Sequence, residues 1–213
     1  MNKQLIIFVL LVIIAGFVYY YVNKPAPTGS SYSDIVTWSD PIQNNDISIA
    51  DINIPINNGY INLIPRAKYR VAAKVLSKMK YKGGWAGKIS PYDLVLGWGE
   101  LVKPELKKSI NYSQMGRFYT YRYNYDAQFD EKYIPTHSAN CHMIPATSNL
   151  RKTLYSLKKN TIVEIEGFLV DVQGEYKRRK VYWNTSLTRT DTGNGSCEII
   201  YVKKIKIGYK TYE

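Results

Sequence analysis

Both histidines of the chain lie in one short segment, residues 137–142, which reads HSANCH. Imidazole beside a thiol suits metal binding or nucleophilic catalysis, because both groups offer a lone pair once deprotonated. However, His137 and His142 are five residues apart, which matches neither a helical metal pair nor a zinc finger, and Pro135 and Pro145 bracket a predicted loop. The first interpretation is therefore that both histidines have structural roles, and the alternative is that they act in acid–base or nucleophilic catalysis. The residues indicate no metal site and no cofactor.

A second segment, residues 183–198, is rich in hydroxyl groups and reads WNTSLTRTDTGNGSCE. Arg189 and Asp191 are two residues apart and face the same way if the chain is extended. Residues 191–195 form a predicted turn in which two glycines permit positive φ, so that backbone amides could converge on an anion. The alternative is a surface turn in which Arg189 and Asp191 pair with each other.

The chain has two cysteines, Cys141 and Cys197. An even count favours pairing in an oxidising compartment, and closing so long a loop stabilises a fold by about 4 kcal/mol on the chain-entropy view. We hypothesise a disulfide, with two buried thiols or one metal-ligating thiol as the alternatives. The disulfide would bring both segments together. It would define a candidate catalytic cluster with Arg189 beside it, and the members of the cluster are His137, His142, Asp191 and Glu198.

Aromatic residues suggest a binding surface. Residues 118–125 read FYTYRYNY, so in a strand Tyr119, Tyr121 and Tyr123 share one face while Arg122 lies on the other. Such a face can stack nucleic-acid bases or sugar rings. Trp98 lies between two glycines, which either expose its indole for a sugar or make room for it in a core. Cross-strand tyrosine packing and a core tryptophan are the alternatives.

The elements that must position these residues are mostly strands, because apolar residues alternate over most of the chain. Gly167 lies where one alternation slips, which predicts a β-bulge there. The one credible helix begins at Ser148 or Asn149 as N-cap and ends by Asn160. The predicted strands include residues 52–56, 69–75, 94–98, 161–172 and 199–207. We therefore predict a mainly β fold with short helices, either a small OB-like barrel or a mixed α+β sheet.

The N-terminus predicts a membrane anchor. Residues 5–22 carry no charge and no proline, and as a helix they would be about 27 Å long, close to the hydrocarbon thickness of a bilayer. We assign 1–23 as a transmembrane helix, 24–34 as a tether and 35–213 as one domain. The alternative is a cleaved signal peptide, although the apolar run is longer than is usual for one. The short positive N-terminus favours a domain outside the cytoplasm.

The chain is basic, with 29 Lys and Arg against 17 Asp and Glu and a net charge of +12. Such a charge favours anionic partners, namely phospholipid headgroups, envelope polymers or nucleic acid. The one concentrated run, residues 177–180 (KRRK), is predicted at a hairpin tip. Dispersed lysines that serve only solubility are the alternative.

Three segments, SPYDLVLGWGEL, HSANCHMIPA and TSLTRTDTGNGSCEIIYV, resemble those of a group of uncharacterised single-pass bacterial membrane proteins. The resemblance covers roughly residues 69–202. It implies a bacterial envelope setting and one domain across that span, and it carries over no activity, no catalytic residue and no cofactor.

Taken together, these patterns predict a binding or structural module anchored in a bacterial inner membrane with its domain on the periplasmic side. Its expected partners are the membrane itself and an anionic envelope polymer or an envelope protein. One alternative is an envelope hydrolase that uses the cluster around His137 and His142. The other is a tethered OB-like nucleic-acid binder, which requires the tyrosine face to be exposed beside residues 177–180.

Overall fold

The structure, a computed structural model, describes residues 2–107, 109–124, 130, 132–188 and 195–213. It is mainly β with few short helices after an apolar N-terminal helix, which confirms the predicted class. The helices are α1 (Lys3–Asn23), α2 (Gly84–Ile89), α3 (Tyr133–Thr136) and α4 (Ser148–Ser156), with 3-10 turns at Gly99–Val102 and Glu105–Lys107. The strands are β1 (Gly29–Ser30), β2 (Ile42–Asn44), β3 (Ile52–Ile56), β4 (Gly59–Lys80), β5 (Tyr92–Gly97), β6 (Ile110–Met115), β7 (Phe118–Tyr123), β8 (Ser138–Pro145), β9 (Ile162–Tyr176), β10 (Arg179–Trp183), β11 (Glu198–Ile207) and β12 (Lys210–Tyr212).

Helix α1 is long and apolar enough to cross a membrane by its length and composition, with a mean hydropathy of 2.7. None of its residues is buried against the rest of the chain. A soluble domain would normally cover such a helix, because exposed apolar surface is unfavourable in water. Its bounds agree with the predicted anchor to within a few residues.

Residues 24–34, predicted as a tether, lie along the domain instead of hanging free. Within this segment β1 pairs with β12, and the side chain of Asn149 makes two hydrogen bonds with the backbone of Ala26. The ammonium group of Lys206 donates to Ser33. The composition of the segment predicted its irregular backbone but not these partners, which lie far away in the sequence.

Five of the described strands pair in a closed ring. Around the ring the order is β4, β5, β8, β11 and β9, and β9 pairs with β4 again. The β8–β11 pairing is parallel, and the other four are antiparallel. Helix α4 lies in the connection from β8 to β9.

The ring encloses the largest apolar cluster of the described residues. Leucines of α4 close one end, and Trp98, which follows β5, packs into the same cluster. The indole nitrogen of Trp98 donates to Asp40 at 2.9 Å. Because Trp98 is 1 % exposed, the core interpretation of this residue is confirmed. The strand residues of this cluster are Ala67, Tyr69, Val71, Ala73, Val75, Tyr92, Leu94, Leu96, Ala139, Cys141, Met143, Val163, Ile165, Leu169, Ile200, Val202, Ile205 and Tyr212.

Two local predictions need correction. Gly167 is not the bulged residue: the register of β9 against β11 shifts between Val202 and Lys204, on the opposite strand. Glycine is needed at 167 because an added Cβ would lie 2.0 Å from the carbonyl oxygen of Tyr201. The N-cap of α4 is Thr147, one residue before the predicted start, and its hydroxyl accepts from the Leu150 amide.

Gly167→Ala should therefore lower the free energy of unfolding by at least about 3 kcal/mol, the upper end of overpacking penalties, because a backbone oxygen cannot rotate away. Gly83→Ala is the matched control, since nothing lies within 4 Å of its added Cβ. Urea unfolding of the full chain in detergent micelles measures both variants. Equal stability of the two variants would contradict the tight β9–β11 contact.

Candidate functional site

The HSANCH segment is a strand and not the predicted loop. Residues 138–145 form β8, which is paired on one side with β5 and on the other with β11, and nearly all of it is buried. The bracketing prolines mislead because Pro135 lies in α3 and Pro145 ends the strand. Side chains therefore alternate between the core of the ring and its outer face.

The outward side chains of β8 hold a hairpin, β6–β7, which we call the tyrosine hairpin. The Ser138 hydroxyl lies 3.2 Å from the hydroxyl of Tyr119. The Asn140 side chain accepts from Gln114 at 2.9 Å and donates to the Arg117 carbonyl at 2.8 Å. Because Asn140 is 1 % exposed, these bonds replace hydration that burial removes.

Arg117 lies at the turn of the tyrosine hairpin and reaches the neighbouring strand β5. Both turn residues, Gly116 and Arg117, have positive φ, as a type I′ hairpin turn requires. The guanidinium of Arg117 pairs with Asp93 at 2.6 Å and lies 3.9 Å from the ring centroid of Tyr81. It also donates to the Ser90 carbonyl at 3.0 Å. Asp93 is fully buried, so Arg117 supplies a charge that this carboxylate requires.

His142 lies against the same carboxylate. Its Nδ1 is 3.0 Å from Oδ1 of Asp93, although the contact is not aligned as a hydrogen bond, and its ring packs 4.2 Å from that of Trp183. Burial lowers the pKa of His142 below its usual 6.5, and the Arg117 charge acts in the same direction, while Asp93 opposes both. The folded protein therefore favours neutral imidazole here.

The predicted catalytic cluster is not assembled among the described residues. His137 lies before β8, stacked on Tyr133 with ring centroids 3.6 Å apart. Glu198 shares the inner face with Cys141, whose sulfur is 4.0 Å from its carboxylate, whereas His142 faces outward. Two of the predicted site residues, Arg189 and Asp191, lie outside the described residues.

The predicted disulfide between Cys141 and Cys197 is not formed; both residues are thiols. Register explains why, because Cys141 pairs with Glu198, so that Cys197, one residue earlier, points to the opposite face. Cys141 contributes to the core of the ring, while Cys197 lies 3.8 Å from the Arg117 carbonyl. The strands do bring the two segments together, but by backbone pairing.

The predicted tyrosine face turns towards the domain. Tyr119, Tyr121 and Tyr123 are half-buried and pack on an apolar cluster around Val95 and Ile134, while Arg122 is exposed on the other face. Burial raises the pKa of Tyr119 to about 12. The packing interpretation therefore accounts for most of this surface.

One part of the tyrosine face remains accessible, in a cavity of about 230 Å³ that we call the tyrosine pocket. It lies where β8 and β11 begin, between the ring and the tyrosine hairpin. Among the described residues that line it, Glu198 is the only charged side chain. The lining residues are Trp98, Phe118, Tyr119, Tyr121, Pro135, Thr136, Ser138, Ala139, Asn140, Thr188, Ser196, Cys197 and Glu198.

A second cavity of about 250 Å³, the outer pocket, adjoins the first, since Phe118 and Cys197 line both. Arg117 and His142 form part of its wall beside Trp183. Within the described part of the chain, no group of three or more His, Cys, Asp or Glu side chains is placed to hold a metal ion.

The sequence patterns missed Asp93, Arg117 and Gln114, which position the tyrosine hairpin. A signal for the turn was present, since Gly116-Arg117 separates two segments of alternating residues. Nothing local indicates that the arginine in this turn meets an aspartate on another strand.

The chain was also compared with protein-family models, curated proteins and solved structures, and nothing matches it in any of the three.

Arg117→Met should lower the free energy of unfolding by about 3–5 kcal/mol, because it leaves the Asp93 carboxylate buried without its cation. In the double variant Asp93→Asn/Arg117→Met the loss should be smaller than in the single variant. Urea unfolding of both variants in micelles measures the coupling. Additive losses would show that the two side chains act independently.

Stability should also depend on pH through His142. Since the folded-state pKa lies below 6.5, the unfolded chain takes up a proton first, and stability falls as the pH decreases below about 6.5. The slope from this group is at most about 1.4 kcal/mol per pH unit. Urea unfolding from about pH 7.5 down to about pH 5, on both sides of the usual histidine pKa, compares wild type with His142→Gln. The variant should lose the part of the pH dependence that comes from His142. Identical dependence of the free energy of unfolding on pH in both proteins would contradict the lowered pKa of His142.

Proposed function

We propose that this protein is a membrane-anchored module of the bacterial envelope that binds a neutral glycan in the tyrosine pocket. In this proposal α1 spans the inner membrane and the remaining chain lies on the periplasmic side. The observation that carries the proposal is the lining of the pocket, which combines aromatic rings with hydroxyl and amide groups.

The strand order supports an OB-type barrel. In chain order the ring strands are β4, β5, β8, β9 and β11, so the ring order is first, second, third, fifth, fourth. The third and fifth strands are parallel, and α4 links the third to the fourth. OB-type barrels bind oligosaccharides and oligonucleotides near their second and third strands, which correspond here to β5 and β8.

The chemistry of the pocket favours a sugar ring. Rings of Tyr119 and Tyr121, with centroids 6.2 Å apart, offer apolar surface for the C–H face of a pyranose. Thr136 and Thr188 are exposed in the lining and offer hydroxyl groups to a ligand, whereas the buried Ser138 and Asn140 are bonded within the protein. Small-molecule sites combine apolar and aromatic side chains with polar groups that fix the orientation of the ligand, and this lining contains both kinds of side chain.

Nucleic acid is disfavoured by the surroundings of the pocket. Phosphate backbones are bound chiefly by Lys and Arg, and neither residue type occurs among the described lining residues. Residues 177–180 lie at the β9–β10 hairpin, which is not paired with the tyrosine hairpin. The exposed Arg122 lies on the face opposite the tyrosines.

A hydrolase is disfavoured for a similar reason. Glycoside hydrolysis usually requires two carboxyl groups across the scissile bond, and Glu198 is the only carboxylate among the described lining residues. His142 lies against Asp93 on the outer face, whereas this glutamate shares the inner face with Cys141. Binding without turnover is therefore the function that the geometry supports best.

The full chain in micelles should bind a neutral N-acetylglucosamine oligomer saturably, measured by calorimetry. Phe118→Ala and Thr188→Val should each weaken binding by up to about tenfold, because they remove an aromatic face and a hydroxyl. Met115→Ala is the control, since Met115 is 85 % exposed on the same hairpin and does not line the pocket. Absence of glycan binding, or saturable binding of a thymidine oligonucleotide instead, would contradict the proposal.

A further inference from the structure

Helix α4 is joined directly to the end of α1. The Lys152 ammonium donates to the Val22 carbonyl at 2.6 Å, in the last turn of α1. Two further hydrogen bonds, of 2.9 and 2.8 Å, join the Asn149 side chain to the backbone of Ala26. A cation at this position also stabilises the helix dipole and satisfies a terminal carbonyl. Since Val22 is in the last turn of α1, α4 lies at the C-terminal end of the proposed membrane-spanning helix.

The surface around α4 is strongly basic. Residues 146–163 carry four cations and no carboxylate. Of these cations, Arg151, Lys158 and Lys159 are exposed. Arg151 also donates to the carbonyl of Lys88, whose own side chain is exposed nearby. Glu213 brings one exposed acidic residue to this region, where its backbone oxygen accepts from Asn149, so the cations remain in excess.

Tyr155 lies within this basic surface and is 59 % exposed. The ammonium groups of Lys78 and Lys80 lie 5.8 and 5.2 Å from its ring centroid. Burial together with the charge of Lys80 lowers the pKa of Lys78 to about 8. A nearby anion would relieve this repulsion. An aromatic ring among cations is a typical composition for residues at the headgroup level of a membrane.

We infer that α4 and its basic neighbours form a docking surface for anionic phospholipid headgroups of the membrane that holds α1. This inference rests on the proposed membrane anchor. We choose lipid as the partner because α4 is bonded to the end of α1. If α1 spans the membrane, this contact holds α4 next to the lipid headgroups. Polybasic segments beside a transmembrane helix are attracted to anionic lipids in the same way.

Docking of α4 on the membrane determines towards which side, relative to the bilayer, the tyrosine pocket opens. Strand β8 runs from the pocket at Ser138 to the α4 connection after Pro145, and its eight residues span about 25 Å. With α4 on the membrane, the pocket therefore opens at the end of the ring that is remote from the bilayer. A ligand in the envelope could reach it there.

Hydrogen exchange of the full chain in lipid nanodiscs tests the inference. In discs that contain phosphatidylglycerol, amides of α4 should exchange at least about fivefold more slowly than in phosphatidylcholine discs, a factor that one basic residue at an anionic surface supplies. Arg151→Gln/Lys158→Gln/Lys159→Gln should abolish this difference. Lys103→Gln/Arg122→Gln/Lys132→Gln, a matched loss of three cations near the Trp98 end, should retain it. High salt should remove the difference in wild type without any substitution.

Equal exchange of wild-type α4 in the two kinds of disc would overturn the lipid contact and leave the anchor standing. The lipid contact is also overturned if Arg151→Gln/Lys158→Gln/Lys159→Gln keeps the full difference in α4 exchange between the two kinds of disc. If the chain enters neither kind of disc, the anchor itself is wrong and the docking surface falls with it.

Discussion

The buried charge of Asp93 is the constraint on which the position of the tyrosine hairpin, and with it the proposed binding surface, depends. Its carboxylate is fully buried on the outer face of β5, and the Arg117 guanidinium meets it at 2.6 Å from the turn of the tyrosine hairpin. An unpaired charge at this depth is strongly unfavourable, so the pair fixes where the hairpin turn must lie. The hairpin then places Phe118, Tyr119 and Tyr121 as one wall of the pocket.

The two ends of the five-stranded ring have different chemistry. At one end α4 closes the core with leucines and presents Arg151 and other cations beside the exit of α1. At the other end, Trp98 packs into the core and the tyrosine pocket opens next to it. Strand β8 runs between these two ends and holds the hairpin through the side chains of Ser138 and Asn140. In the proposed function, this arrangement separates membrane attachment from ligand binding.

Periodicity predicted much of the fold, because most ring strands alternate between core and exterior. It failed at β8, where both faces are covered, so that Ser138, Asn140 and His142 look like loop residues although they pack under a hairpin. Partners remote in sequence were the second limit. No residue near Cys197 in the sequence indicates that its neighbour Glu198 pairs in register with Cys141. This register directs the two cysteine side chains to opposite faces, which excludes the disulfide. Trp98 and the tyrosines were identified as important, but whether they pack or bind depends on the surface that covers them.

NMR of the Arg117 guanidinium in the full chain measures directly whether the buried ion pair fixes the hairpin. We expect slowly exchanging guanidinium protons with nuclear Overhauser contacts to the ring of Tyr81, because the guanidinium lies 3.9 Å from the centroid of that ring and pairs with the buried Asp93 carboxylate. Rapid exchange without such contacts would show that the arginine is solvated. The hairpin would then not be fixed to β5 and β8, and the tyrosine pocket would lose one wall.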